Sequence, residues 1–297
     1  MLAALVKEHG ASWMQQAAKT DANGKRLAQL AAGWKPAAKA DVEQLAVLVA
    51  LLGGGSDVQD ASLAAYVVEA HGIPVALRVI VATWPLWGDG QRWLVVRAPD
   101  DLGIHDTSVS WGKRNFAECV GARVRADKKL AAAAAKAIAK IWPSAPRYAK
   151  TALAYAADDQ VRGAEIAREL LAHDRPYPHY PFEILPHFVR DAKLVAKLMK
   201  AGQAQPSLRM LDNLGAAAAP LIYRALVDAR SKWTRQRMME IGANVKSTKI
   251  ARELASHVNQ EPYTAIVRDY FARHRDLLAK MMRDPELTYH RDDLAKL

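Results

Sequence analysis

The feature that most constrains this chain is a set of large apolar residues returning every 28 positions through its second half. The segment Ile166-Ala167-Arg168-Glu169-Leu170 recurs unchanged as Ile250-Ala251-Arg252-Glu253-Leu254, and the offset of 84 divides into three steps of 28. Those steps land on Ile138, Ile166, Leu194, Ile222, Ile250 and Leu278, and four residues after each stand Trp142, Leu170, Leu198, Leu226, Leu254 and Met282. An apolar pair at i,i+4 marks the buried stripe of a helix. Twelve residues before the anchors lie Ala126, Ala154, Phe182, Met210, Met238 and Ile266, which supply the buried side of a preceding helix. Helix pairs this short cannot bury their apolar faces alone, so the pattern predicts stacked pairs: an all-α solenoid with a 28-residue period. Asp158-Asp159, Gly202, Gly215, Asn244 and Pro262 fall where the turns belong.

The remainder of the chain also reads as helical. Asp127 to Trp142, with the run Ala131–Ala135, is a strong helix former. Asp41 to Leu52 opens on an N-cap Asp and stops at Gly53-Gly54-Gly55, and Asp57 to His71 is closed by Gly72. Val6-Lys7-Glu8-His9-Gly10 returns as Val68-Glu69-Ala70-His71-Gly72, which suggests two helix-pair copies, each ending its first helix on the glycine. A helix beginning close to Met1 hints at a repeat upstream. Trp84 to Trp111 breaks the pattern, holding Trp84, Trp87, Trp93 and Trp111 among Pro85, Gly88, Gly90, Pro99 and Gly103. Within it Arg92 to Arg97 has the composition of a short strand. Such a cluster closes a local core more often than it forms a ligand platform. The expected organisation is a helical region at 1–83, an irregular or β aromatic insert at 84–125, and helical repeats at 126–297.

Charge divides unevenly. Residues 1–125 carry 13 Lys and Arg against 12 Asp and Glu, whereas residues 126–297 carry 29 against 19, a net of +10. An acidic partner is therefore expected on the second half. The alternative use of such charge is solubility. No apolar run approaches the roughly 18 residues needed to span a bilayer, so no membrane partner is expected. The lone Cys119 excludes an internal disulfide framework and points to a reducing, cytoplasmic compartment.

The residues offer little chemistry. Cys119 has no histidine near it in sequence and reads as a small buried residue. No Gly-x-Ser-x-Gly elbow is present, and Gly53-Gly54-Gly55-Ser56 lacks the lysine of a phosphate-binding loop. His173, His179 and His187 gather around the proline-rich stretch Arg175–Pro181 and are weak metal candidates, but their spacing fits no zinc pattern. His173 also has a repeat counterpart, His257. No catalytic residue, cofactor or small-molecule ligand is predicted. One surface feature stands out. Two residues after the anchors come Lys140, Arg168, Ala196, Arg224, Arg252 and Lys280, with Lys197 beside the alanine. In stacked repeats these cations would form a ladder able to follow an acidic protein surface or a polyanion.

Two phrases carry a resemblance. Leu211-Asp212-Asn213-Leu214-Gly215-Ala216-Ala217-Ala218-Ala219-Pro220-Leu221 looks like the helix–turn–helix of a HEAT-like repeat. Asp269-Tyr270-Phe271-Ala272-Arg273-His274-Arg275-Asp276-Leu277 is similar to a phrase of large bacterial proteins related to the MolR (molybdate metabolism regulator) group, many of which carry a WGR domain. That phrase usually has proline where Arg275 stands, and Trp111-Gly112-Lys113-Arg114 lacks the strand pattern of a WGR domain. The resemblance implies a HEAT-like scaffold, usually one part of a larger polypeptide, and carries over no catalytic residue. The expected function is therefore non-enzymatic binding of a protein partner through the basic face. Nucleic-acid binding along the ladder is the alternative, with base-directed chemistry of the kind that compact HEAT-like DNA glycosylases perform. A metal-dependent enzyme built on the histidine loop is the remaining option.

Overall fold

Alanine- and leucine-rich segments opened by capping side chains form helices throughout the chain, and the fold is all-α. The structure, a computed structural model, describes residues 2–17, 22–35, 41–52, 57–87, 95–96, 111–172, 182–202 and 204–297. Gly53–Gly55, Trp93, His173 and His179 lie outside the described residues. Two units are distinguished, Met1–Phe188 and Val189–Leu297.

The first unit holds α1 (Leu2–Ala17), α2 (Ala22–Ala32), α3 (Val42–Leu52), α4 (Asp57–His71), α5 (Ile73–Thr83), α6 (Trp111–Ala126), α7 (Lys128–Ile141), α8 (Arg147–Ala156) and α9 (Gln160–Leu171). Helices α3, α5 and α7 pack in series, α4, α6 and α8 make a second series, and α5 and α6 touch across the two. Helix α8 is enclosed: every residue from Thr151 to Ala157 is buried. The alanines and Leu153 of this stretch suit such a place, because small apolar residues let neighbouring helices approach closely. Gly121 of α6 marks the tightest approach, since a Cβ there would sit 3.0 Å from the carbonyl oxygen of Tyr155. The aromatic segment contributes one antiparallel pair, β1 (Leu86–Trp87) against β2 (Val95–Val96), with Leu86 opposite Val96. Trp84 and Leu86 are buried in the core of this unit.

Caps explain where several helices begin. The Asp41 carboxylate accepts from the backbone N–H groups of Glu43 and Gln44. Asp127, Asp159 and Asp191, spaced 32 residues apart, do the same for α7, α9 and the first helix of the second unit. Each such cap contributes about 1 kcal/mol. Gly72 has φ of 83°, as expected of a helix stop. Gly10 does not end a helix, because α1 runs through it. A Cβ there would sit 3.7 Å from the Cβ of Ala32 at the end of α2, an ordinary contact distance, so the position faces α2 without requiring glycine.

The second unit holds shorter helices: α10 (Ala192–Lys200), α11 (Leu208–Leu214), α12 (Ala219–Val227), α13 (Lys232–Gly242), α14 (Thr248–Ala255), α15 (Thr264–Arg273), α16 (Arg275–Met281) and α17 (Arg291–Leu294). Helix α12 packs on α13 and α14, α14 on α16, and α15 on α16. Anchors Ile138, Ile166, Leu194, Ile222 and Ile250 are buried, as are Leu170, Leu198, Leu226 and Leu254. The last pair departs from the register. Leu278, Met282 and Ile266 are only half-buried, and Val267, Leu277 and Met281 take the interior positions. The cause is a shortened turn: His274 both closes α15 and opens α16, so the two stripes move towards each other. Ala126 is exposed at the end of α6, and Trp142 is half-buried beyond the end of α7.

Candidate interaction surface

The six cations expected to form a ladder share one local position. Lys140, Arg168, Lys197, Arg224, Arg252 and Lys280 each lie in the last turn of α7, α9, α10, α12, α14 and α16. All six are exposed. The unsatisfied carbonyls of a helix end carry partial negative charge, and a cation there contributes about 0.3–1 kcal/mol. Part of the in-register recurrence therefore has a cause inside each helix. Lys140 and Arg168 belong to the first unit and the other four to the second.

The end of the set is electrically mixed. Arg252 donates through Nε to Asp284 Oδ2 at 2.8 Å and through Nη1 to Glu286 Oε2 at 3.0 Å. The Asp284 side chain is only 7% exposed and also caps the backbone N–H of Glu286. Lys280 donates to Thr248 Oγ1 at 3.3 Å. Arg252, Lys280 and Arg283 line a cleft of about 440 Å³ together with Asp276, Pro285, Asp284 and Glu286. Three cations facing three carboxylates leave little net charge to attract an anion.

One group of exposed cations lies at the corner joining α12 to α13. Arg224, Arg230, Lys232 and Arg237 are all exposed there. Arg224 meets Asp228 only loosely, at 3.6 Å, with both side chains largely in solvent, and such pairs are worth little. Between these cations stand Val227, 48% exposed, and Trp233, 68% exposed. Leaving a large apolar side chain in water forgoes roughly 2 kcal/mol of burial free energy. The Arg237 guanidinium lies 5.6 Å from the Trp233 ring. Trp233 escapes the 28-residue pattern because it stands off the stripe formed by Met238, Met239 and Ile241. A tryptophan out of apolar register within Lys-Trp-Thr-Arg-Gln-Arg is the signal that would have found it.

The aromatic rings nearest the other cations are already covered. Lys150 and Arg162 sit 5.3 and 5.1 Å from the Trp142 ring, and Lys249 sits 5.8 Å from that of Tyr223. His187 is buried, with its ring edge-on to Tyr155 at 6.3 Å. Among the described residues no group of three His, Cys, Asp or Glu is placed to hold a metal ion. His257, the repeat counterpart of His173, is buried and bonded to Gln260 at 2.8 Å. Its hydrogen bond to Glu253 pushes the imidazole above its ordinary pKa, against the opposing effect of burial.

The phrase Asp269 to Leu277 is structural in this chain. The Tyr270 hydroxyl, fully buried, bonds the carbonyls of Val245 and Ser247 at 3.3 and 3.4 Å, and burial raises its pKa. Arg273 donates to the Ala243 carbonyl at 3.0 Å, and Asp276 pairs with Lys246 at 3.0 Å, which holds the carboxylate below its usual range. One phrase thus clamps the whole turn between α13 and α14. Asn213 makes a related bond earlier in this unit, donating to the Val189 carbonyl at 2.9 Å. Arg275 occupies the first position of α16, where proline is also favoured.

No helix among the described residues is long and apolar enough to cross a membrane. No family model, no curated protein and no solved structure matches this chain.

Proposed function

We propose that the chain is a non-enzymatic HEAT-like scaffold, of the kind found in the MolR-related proteins it resembles, that binds an acidic protein partner through the basic face of its second unit. The observation that carries this reading is the charge of Val189–Leu297: 20 Lys and Arg against 12 Asp and Glu, with Arg224, Arg230, Lys232 and Arg237 exposed around α12 and α13. The serial packing of α12, α14 and α16, and of the two helix series in the first unit, supports a solenoid, an architecture whose extended surfaces serve binding. Duplex DNA along the ladder has less support. Arg252 is held by two carboxylates, and Trp142 and Tyr223 already carry cations over their rings.

Affinity capture from the native host, compared between the wild-type chain and one carrying Lys197→Glu, Arg224→Glu and Arg230→Glu, tests the proposal. A stoichiometric, acidic partner recovered by the wild type and lost by the variant is the expected result. A salt-dependent shift of mixed duplex DNA at about 50 mM salt, abolished by the same substitutions, would replace the protein partner with nucleic acid.

A further inference from the structure

The Trp233 corner is built to be rigid as well as exposed. Ser231 caps α13 by accepting from the Thr234 N–H at 3.0 Å, and its hydroxyl lies 2.7 Å from that of Thr234. Arg235 reaches back to the Ala229 carbonyl at 2.9 Å, bracing the turn from within. From the following helix pair the buried Tyr263 donates to the Lys232 carbonyl at 3.4 Å. Three independent bonds therefore fix the backbone on either side of a tryptophan that the protein leaves in solvent. A large aromatic presented on a fixed backbone, without the cost of ordering a loop, has the composition and mechanics of an interface hot spot.

The surroundings define what would cover it. From 224 to 240 the chain has Arg224, Arg230, Lys232, Arg235 and Arg237 against Asp228 and Glu240. A second copy of this unit would bring like charge to the same place, which opposes self-association. Val227 adds an aliphatic surface across the turn, and one side of the Trp233 ring is taken by Arg237. An aliphatic neighbour suits an apolar side chain better than a nucleobase, which needs an open aromatic face.

We infer that the α12–α13 corner is a docking site for an acidic peptide segment of a partner protein, which seats an apolar side chain on Val227 and Trp233 while its carboxylates meet Arg224, Arg230, Lys232 and Arg237. The inference rests on the partner-binding reading above and deepens it by naming the place and the partner's chemistry.

The test is fluorescence anisotropy with three labelled probes: a peptide alternating glutamate with leucine and phenylalanine, the same peptide with glutamine for glutamate, and oligo(dT). The acidic peptide binds, the glutamine peptide does not, and Trp233→Ala or Arg230→Glu with Lys232→Glu weakens binding by about tenfold or more. Trp233→Phe keeps most of the affinity, and unchanged melting curves confirm that the variants fold. Three results overturn the inference. In the first, none of the peptides binds. In the second, oligo(dT) binds more tightly than the acidic peptide and depends on Trp233. In the third, acidic-peptide binding is indifferent to Trp233→Ala but lost with Lys197→Glu and Lys280→Glu, which removes the corner and leaves the broader basic-face reading standing.

Discussion

The two units solve the same problem, packing short helices in series, with different materials. The first combines small residues and close approach with a few glutamine bonds to backbone carbonyls, from Gln44, Gln59 and Gln160. The stretch 151–156 of its α8 is buried throughout, and Gly121 lets α6 come against the Tyr155 carbonyl. The second has helices of 4 to 11 residues with less apolar face to bury, and it ties its turns with side-chain bonds to backbone carbonyls. Tyr270, Arg273 and Asn213 perform that task. It also carries most of the surplus charge, +8 of the chain's +11. Packing that depends on steric fit leaves the surface free to be neutral. Packing that depends on polar clamps and helix-end cations places charge on the outside, where a partner can use it.

The contrast can be broken at its strongest point. Tyr270→Ala removes a fully buried ring and the clamp on the α13–α14 turn, and costs about 4 kcal/mol. Tyr270→Phe keeps the ring, loses only the bonds to Val245 and Ser247, and costs about 1.5 kcal/mol. Urea denaturation measures both, and a Tyr270→Phe variant as stable as the wild type would show that the hydroxyl clamp is irrelevant. Next in size is Gly121→Ala. The added methyl meets the Tyr155 carbonyl as well as the movable Arg125 guanidinium, and the backbone contact makes overpacking outweigh the helix propensity gained, with a net loss of about 1 kcal/mol.

The corresponding change in the second unit has the opposite sign. A Cβ at Gly242 would contact Ile250, Ile222 and Leu226 at 3.4 to 3.9 Å, ordinary distances to flexible tips. Gly242→Ala is expected to stabilise by about 0.5 kcal/mol, read as a raised melting temperature. The smallest effect is a pH dependence at His257. Its folded pKa is raised above the ordinary value of 6.5, so its contribution is complete below that value and fades as pH rises through the folded pKa. Melting temperature should therefore fall slightly across that interval, and His257→Gln should flatten the fall.

Much of this was legible in the residues. The 28-residue register located five buried anchors, because an i,i+4 apolar pair on a short helix has few other places to go. It missed the last pair because His274 serves two helices at once, a shortening that no periodicity reveals. Gly10 read as a stop because glycine favours a left-handed turn, but α1 continues through it to Ala17. The recurring cations were visible, but their place in the last turn of each helix was not, and neither were the carboxylates that hold Arg252. Trp233 lies outside the 28-residue register, so the periodicity carries no signal for it.

The central claim is that the second unit works through its basic corner. Incorporating 5-fluorotryptophan gives a fluorine signal for each of the eight tryptophans, with Trp233 assigned by its loss in Trp233→Ala. Titrating in the acidic leucine–phenylalanine peptide should shift the Trp233 signal saturably, leave the others in place, and lose its effect as salt rises. A Trp233 signal that stays fixed, or that moves equally with the glutamine peptide, would contradict the account.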